Sequence, residues 1–531
     1  MTESDVETGA GLGRRLDALV VAGDWTAVVT MLDQQWALVL SDDPAAVQRA
    51  INALPAEALE KNPRWAMALE YVNRFVTNGR TPTTIFRGGG PVPEPTNLLD
   101  LLAQLTAKIA AKRAAGRYAE AVEAAQEART LLDDADDESR ATLAQALPEI
   151  LFQWAMAWEY FGDASAAARE YTESFDAAVA TRHRLAEASA AGALAWMHVL
   201  AGRNIQARMW LDRLPDSTGA WWSNRASVTA RFTRTLLLID ELEVVEARAE
   251  LAQVSLAGVT ERWPAQKYLL ALTETDPAGC VDLLTQIDSS AKAQPVEAPE
   301  QGAWEPFVAI ARSVLLSRLG NRVDARSALD AVDTDRPNGD SGALQVRLWK
   351  ATTRLATGDA VRARREAAAL IRVSTASPRI LVGALAVAAA SALKAGEADA
   401  ATTQMRMALH LAEQHRLYEP LTLVPAAELE ALLDLVADEA RASVPAAMRA
   451  ALLAERVGPS ADPSADPFLQ LTPRELAVAK SAASEQSLED MAAELFVSRN
   501  TVKSQLRSVY RKLGISSRTA LEELALRHGY L

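Results

Sequence analysis

Between residues 98 and 455 the chain alternates long apolar, alanine-rich stretches with short polar breaks that carry a glycine. The breaks read AGRYAEAVEAA, FGDASAAAREY, AGRNIQARMWL, LGNRVDARSAL, TGDAVRARREA and AGEADAATTQM, with Gly116, Gly162, Gly202, Gly320, Gly358 and Gly396. Five residues after each glycine stands an alanine: Ala121, Ala167, Ala207, Ala325, Ala363 and Ala401. Glycine ends a helix in the left-handed conformation at no steric cost. An alanine one turn into the next helix lets two helices approach closely. The pattern therefore predicts pairs of helices joined by tight turns. Successive glycines lie 46, 40, 118, 38 and 38 residues apart, and the long interval is about three periods. IDELEVVEARAEL and TDPAGCVDLLTQI are expected to fill it, with Asp240 and Asp276 at the turn position. AGDWTAVVTML, around Gly23, reads as a further divergent unit.

A period near 40 residues suits a helix–turn–helix unit stacked on its neighbours. The pattern resembles the tetratricopeptide-like repeats, although the units run longer than the family's roughly 34 residues and mostly lack its large aromatics. The resemblance implies an all-α fold, a helical-repeat α-solenoid body; an irregular helical bundle is the alternative. Composition points the same way. Aromatics are only 5 % of the chain and alanine is abundant, a mix that favours helices over strands. Trp154 and Trp158, four residues apart, read as core packing on a helix, with a pocket wall as the alternative. The role of Trp221-Trp222, after LPDSTGA, is open.

Two Pro- and Gly-rich stretches divide the chain. NGRTPTTIFRGGGPVPEPTN (78–97) separates an N-terminal helical block (1–77) from the repeats (98–455), and RVGPSADPSADPFLQ (456–470) separates the repeats from a tail (471–531). The formal net charge is −14, unevenly spread. The tail holds nine Lys/Arg and seven Asp/Glu, a net of +2; residues 1–470 hold 46 and 62, a net of −16. The tail is a separate electrostatic object, and the acidic body argues against non-specific nucleic-acid binding along its length.

Four helix starts are legible in the tail. Thr472-Pro473-Arg474-Glu475 is a capping box with Pro at the first helical position, flanked by Leu471 and Leu476 at the spacing of a hydrophobic staple. Ser487, with Leu488-Glu489-Asp490, marks a second start; Ser498 a third, ending at Gly514; Ser517 a fourth, running to about Arg527. On the third helix Val502, Leu506, Val509 and Leu513 form one apolar stripe. Arg499, Lys503, Arg507 and Arg511 recur at four-residue steps beside it. A short helix with a basic ridge is sized for the DNA major groove. The second helix, ending near Phe496, is only a few residues away, which is helix-turn-helix spacing.

LTPREL…MAAELFVSRNTVKSQLRSVYRKLGISSRTAL resembles the LuxR-type helix-turn-helix domain over about 61 of the 531 residues. The LTPRE start, the second helix, S-x-x-T-V-K and R-K-L-G stand in the family's order. The resemblance implies a four-helix DNA-binding domain in which Lys503, Ser504 and Arg507 face base edges while Arg499, Thr501, Gln505 and Arg511 lie near phosphates. Arg and Lys pair well with guanine O6 and N7, and phosphate contacts set register. Two departures stand out: Glu485-Gln486 where the family has Gly-Leu, and Gln505 where a histidine is common.

Other chemistry finds little support. There is no G-x-x-x-x-G-K-[ST] motif, so the ATPase module that large LuxR-family regulators often carry is not expected. Pro91 follows Gly88-Gly89-Gly90 and cannot open a phosphate-binding helix in the usual way. His183, His198, His410, His415 and His528 are scattered; HLAEQH (410–415) is not a metal pattern. Cys280 is alone, which fits a reducing cytosol and a core role. No basic-then-apolar leader and no run of 18 apolar residues are present, so neither a signal peptide nor a membrane span is expected. High Arg and Ala usage is a compositional pointer to a GC-rich bacterial genome.

No enzyme, no cofactor and no metal site are expected. The expected protein is a cytoplasmic transcription regulator whose tail binds double-stranded promoter DNA as a homodimer. Its repeat body would control activity through an effector or partner protein. The alternative is a protein-binding repeat scaffold with a vestigial or autoinhibited tail.

Overall fold

Every glycine of the breaks is a turn between two helices. In the computed structural model Gly116, Gly162, Gly202, Gly320, Gly358 and Gly396 take φ values from 75° to 105°. The structure describes residues 9–65, 68, 72, 94–216, 225–254, 260–292, 302–335, 341–437, 452, 468, 471–484, 486–495 and 497–527. Among these the fold is all-α, without a strand. Trp221, Trp222, Glu485, Phe496 and His528 lie outside the described residues, as do most of 78–97 and 456–470.

The N-terminal block includes, among the described residues, α1 (Gly9–Ala22), α2 (Trp25–Asp42), α3 (Pro44–Ala53) and α4 (Ala56–Lys61), with helical residues again at Arg64, Trp65, Ala68 and Val72. The body begins with the pair α5 (Leu98–Ala114) and α6 (Tyr118–Asp133). A short α7 (Asp137–Leu143) leads to α8 (Leu147–Phe161) with α9 (Ala164–Thr181). Three pairs follow: α10 (Arg184–Leu200) with α11 (Asn204–Leu211), α12 (Val228–Asp240) with α13 (Val244–Ala252), and α14 (Trp263–Thr273) with α15 (Pro277–Lys292). Three more are α16 (Glu305–Arg318) with α17 (Arg322–Asp330), α18 (Ser341–Ala356) with α19 (Ala360–Ile371), and α20 (Pro378–Lys394) with α21 (Ala398–His415). After α21 comes α22 (Ala426–Ala437).

The first helix of each pair packs on its own partner and on the first helix of the next pair: α5 on α8, α8 on α10, α10 on α12, and onward to α20 on α22. All six alanines five residues beyond the turns are 0–1 % exposed. Asp163, Asn321 and Asp359, directly after their glycines, accept an amide hydrogen bond three residues on and so start the second helices. Gly23 also takes positive φ, and Val28, five residues later, is fully buried. Gly202 is held by crowding as well as by φ. A Cβ there would sit 2.5 Å from Leu417 Cδ2 and 2.7 Å from the Arg379 nitrogen.

The long interval contains turns, but not where Asp240 was expected to make one. Leu242 takes the left-handed conformation (φ 67°), and Ala247, five residues on, is fully buried. Asp240 ends α12 and is buried. Asp276 accepts the Gly279 amide at 2.9 Å and starts α15 without a left-handed residue. Trp154 is core: it is fully buried, and its Nε1 donates to Thr106 Oγ1 at 3.0 Å. Cys280 is buried too, and burial raises its thiol pKa. No described helix is long and apolar enough to cross a membrane, and no described cluster of His, Cys, Asp or Glu could hold a metal.

Asp240 serves a long-range contact instead. Arg379, at the start of α20, donates to both Asp240 oxygens at 2.7 Å and to Glu419 at 3.1 Å. It also donates to the carbonyls of Val199 (2.9 Å) and Leu200 (3.2 Å) at the end of α10. One guanidinium thus faces two buried carboxylates. Burial pushes Glu419 up to about 7 despite the attraction of Arg379, and it also raises Asp240. Tyr268 lies near the same group, its phenol raised by burial.

Arg379→Leu leaves both carboxylates without a cation and should destabilise the body by about 3–5 kcal/mol in chemical unfolding. The folded state holds a proton on Glu419 more tightly than the unfolded chain does. Its stabilising effect is therefore full below the ordinary value of 4.5 and is lost as pH rises through about 7. Unfolding between pH 4.5 and 8 should show that slope in the wild type and a flatter profile in Glu419→Gln.

Candidate nucleic-acid interface

Four helices make the tail: α23 (Pro473–Ala483), α24 (Leu488–Glu494), α25 (Arg499–Leu513) and α26 (Arg518–Arg527). Local chemistry starts each one. Thr472 Oγ1 accepts the Glu475 amide at 3.3 Å while Glu475 Oε2 accepts the Thr472 amide at 2.8 Å, a complete capping box. Ser487 accepts from the Asp490 amide, Ser498 from Thr501 and Ser517 from Ala520, each at 3.1 Å. Gly514, with φ 66°, ends α25.

The core between these helices buries Val478, Ala482, Met491, Val502, Val509 and Leu521. Leu471 and Leu476 both join this cluster, as the staple spacing predicts. Of the α25 stripe, Val502, Val509 and Leu513 are buried and Leu506 is half-buried. With that face inward, the opposite face of α25 is turned out. Arg499, Thr501, Lys503, Ser504, Arg507 and Arg511 are exposed, and Gln505 is half-buried.

These side chains differ in what already holds them. Arg499 pairs with Glu489 at 2.7 Å in a contact exposed on both sides. The Thr501 hydroxyl lies 2.8 Å from Ser498 Oγ, so it belongs to the cap as well as to the outer surface. Lys503, Arg507 and Arg511 form no ion pair among the described residues. The basic ridge is thus open at three of its four cations.

The fifth basic residue of α25 has another task. Lys512 Nζ donates to Glu475 Oε2 at 2.6 Å, and Ser508 Oγ donates to Glu475 Oε1 at 2.7 Å. The carboxylate that caps α23 therefore also clamps α25 to it. The Lys512 hydrogen bond, the Thr472 amide and the Ser508 hydroxyl hold the Glu475 pKa down to about 2. Arg518 makes a second brace, donating to the carbonyls of Ala482 and Gln486 at 2.7 Å each. Sequence reasoning missed both roles. The only signal for Lys512 was its place one residue off the four-step ridge.

The tail touches the body through α23. Lys480 reaches Asp324 on α17 at 3.4 Å, and Val323 packs against the tail core. The ridge of α25 stays exposed in this arrangement.

This geometry defines a small four-helix domain of the helix-turn-helix class, with α24 and α25 as its two characteristic helices. Residues 469–525 match the family model of bacterial regulatory proteins of the luxR family, and the tail is a domain of that type. The transcriptional regulatory protein YdfI of Bacillus subtilis (strain 168) is 44 % identical over 62 residues, which cover 12 % of this chain and 29 % of that protein. The match spans less than a third of that relative.

Glu475→Gln should loosen α23 from α25 and lower the amide-exchange protection of residues 473–513. Because the folded pKa is depressed to about 2, the carboxylate's contribution is present above the ordinary 4.5 and is lost as pH falls toward 2. Acid titration of tail protection should show this loss in the wild type and not in the variant.

Proposed function

We propose that this protein is a sequence-specific DNA-binding transcription regulator that inserts α25 into the major groove. The observation that carries this reading is the exposed, unpaired cation series Lys503, Arg507 and Arg511 on a helix capped at both ends and braced from behind. The major groove is about 12 Å wide and admits one helix. Lys503, Ser504 and Arg507 read base edges; Arg499, Thr501, Gln505 and Arg511 hold phosphates and sugars. Arg499 exchanges its exposed contact with Glu489 for a phosphate at little cost, since such pairs contribute about 0–1 kcal/mol. The name of the YdfI relative, a transcriptional regulatory protein, supports the same reading. The domain acts as a homodimer on a two-fold symmetric site, the usual way a small reading helix reaches enough base pairs. The helical body controls this activity through an effector or partner protein.

Sequencing of genomic fragments retained by the full-length protein should yield one shared symmetric motif, and Lys503→Ala/Arg507→Ala should lose it. Equal retention by both proteins would remove α25 as the reading helix. Arg511→Ala should weaken binding uniformly across sequences. It should also reduce the slope of log K against log[salt] by about 0.9.

A further inference from the structure

The N-terminal block and the body enclose a cavity of about 120 Å³ between α2, the chain just after α4, α5 and α8. Its apolar walls are Leu32, Trp36, Trp65, Ala103, Ala107 and Ile150. Trp36 and Trp65 meet with ring centroids 5.5 Å apart at 47°. Across from them α5 contributes Leu99 and the small side chains of Ala103, Thr106, Ala107 and Ala110. Elsewhere in the body such alanines are covered by a neighbouring helix. Ala103 and Ala107 remain partly uncovered and face the opening. The space is close to the roughly 150 Å³ that holds a benzene ring in an engineered apolar cavity.

The polar groups around the opening are arranged in a definite way. The cationic lining residue, Arg64, is already committed to two carboxylates. Arg64 binds Asp33 at 2.7 Å and Asp100 at 3.1 Å. Glu149 accepts from Trp36 Nε1 at 2.6 Å and lies 3.2 Å from His183 Nε2. An anionic ligand would lose its hydration, find Arg64 already held by Asp33 and Asp100, and face the Glu149 carboxylate.

Apart from the buried Glu149 Oε1, which has no hydrogen-bond partner, what is left over donates. Gln153 Oε1 is taken by Arg113 at 2.9 Å and Gln145 Oε1 accepts the Ala37 amide at 3.4 Å, leaving both amide nitrogens. Thr106 Oγ1 accepts from Trp154 and keeps its own hydrogen to give. The buried Trp65 Nε1 has no partner. An apolar space walled by two tryptophan rings and edged by donors selects an aromatic compound with an acceptor.

We infer that this cavity is a binding site for a small uncharged aromatic compound carrying one carbonyl-type hydrogen-bond acceptor. Such a ligand touches the N-terminal block and the body at once and so binds only when the two are docked. That it would serve as the effector rests on the function proposed above; the binding itself does not.

The test uses the full-length protein, without DNA, and three probes of one size: acetophenone, ethylbenzene and benzoate. Calorimetric titration and thermal shift should show saturable binding of acetophenone. Its dissociation constant should be on the order of 0.1–1 mM, as suits about nine heavy atoms. Ethylbenzene, lacking the acceptor, should bind several-fold more weakly, and benzoate should not bind. Ala107→Phe fills the space and should weaken acetophenone at least tenfold at unchanged helical content. Ala103→Phe does the same from one turn away and serves if the first variant misfolds. Absence of saturation overturns the site. So does benzoate binding as tightly as acetophenone, or unchanged affinity in a folded filling variant. Because no DNA is present, these outcomes are separate from failure of the α25 assignment, which the genomic-fragment experiment reads.

Discussion

The close approach of two helices at a single alanine one turn beyond each break is the constraint on which the body depends. A helix pair of this kind buries only one face by itself, and the rest of its apolar surface must be covered by the next pair. The residues five positions past the turns, Ala121 through Ala401, are almost completely buried. A methyl group there allows the second helix to lie flush, so the first helices of successive pairs can touch in an unbroken row. The left-handed turn residue makes this possible, because it reverses the chain within two or three residues. Leu242 does the same work as the glycines at some conformational cost, and the alanine behind it is just as buried.

Alanine contacts are short and carry little direction. Buried arginines add directional contacts between distant segments. Arg113 holds Glu261 at 2.8 Å, Arg262 grips both oxygens of Glu159 at 2.7 and 2.9 Å, and Arg379 holds Asp240 and Glu419. Arg379 also closes on Val199 and Leu200, carbonyls in the last turn of α10 that have no partner within their own helix. The negative end of a helix favours a cation there. Desolvation takes back much of what such pairs gain. Their main consequence is positional: the pairs join residues 40 to 148 apart in the chain.

This division explains what could be read from the chain alone. The turns and their alanines lie within six residues of one another, so periodicity exposed them. The four starts of the tail are equally local, since a cap needs partners only three residues away. Leu242 escaped because nothing about leucine announces a left-handed backbone, and Asp240 was assigned to the turn only because it stood nearby. The arginine clamps, the Lys512–Glu475 brace and the Trp36–Glu149 contact join residues 37 to 180 apart. Pattern along the chain has no access to such pairs. The cavity was invisible for the same reason: Trp36, Trp65 and the alanines of α5 meet only after the N-terminal block has docked, whereas Trp154, the tryptophan that drew attention, is sealed in the core.

The same comparison of local and distant contacts bears on how body and tail can act on one another. Among the described residues their contacts include an ion pair of 3.4 Å, with side chains 33 % and 48 % exposed, and Val323 against the tail core. A pair so exposed contributes about 0–1 kcal/mol. Moving a two-state equilibrium from 1:99 to 99:1 takes about 5.5 kcal/mol of differential binding. Lys480–Asp324 therefore cannot by itself be the switch between a docked and a free tail. On the function proposed above, control of the tail by the body would draw on stronger sources of free energy, and two would serve. One is the docking of the N-terminal block on α5 and α8, where a ligand would bury apolar surface. The other is the proximity of two tails in the proposed dimer, whose gain in effective concentration would need no new contact with the body.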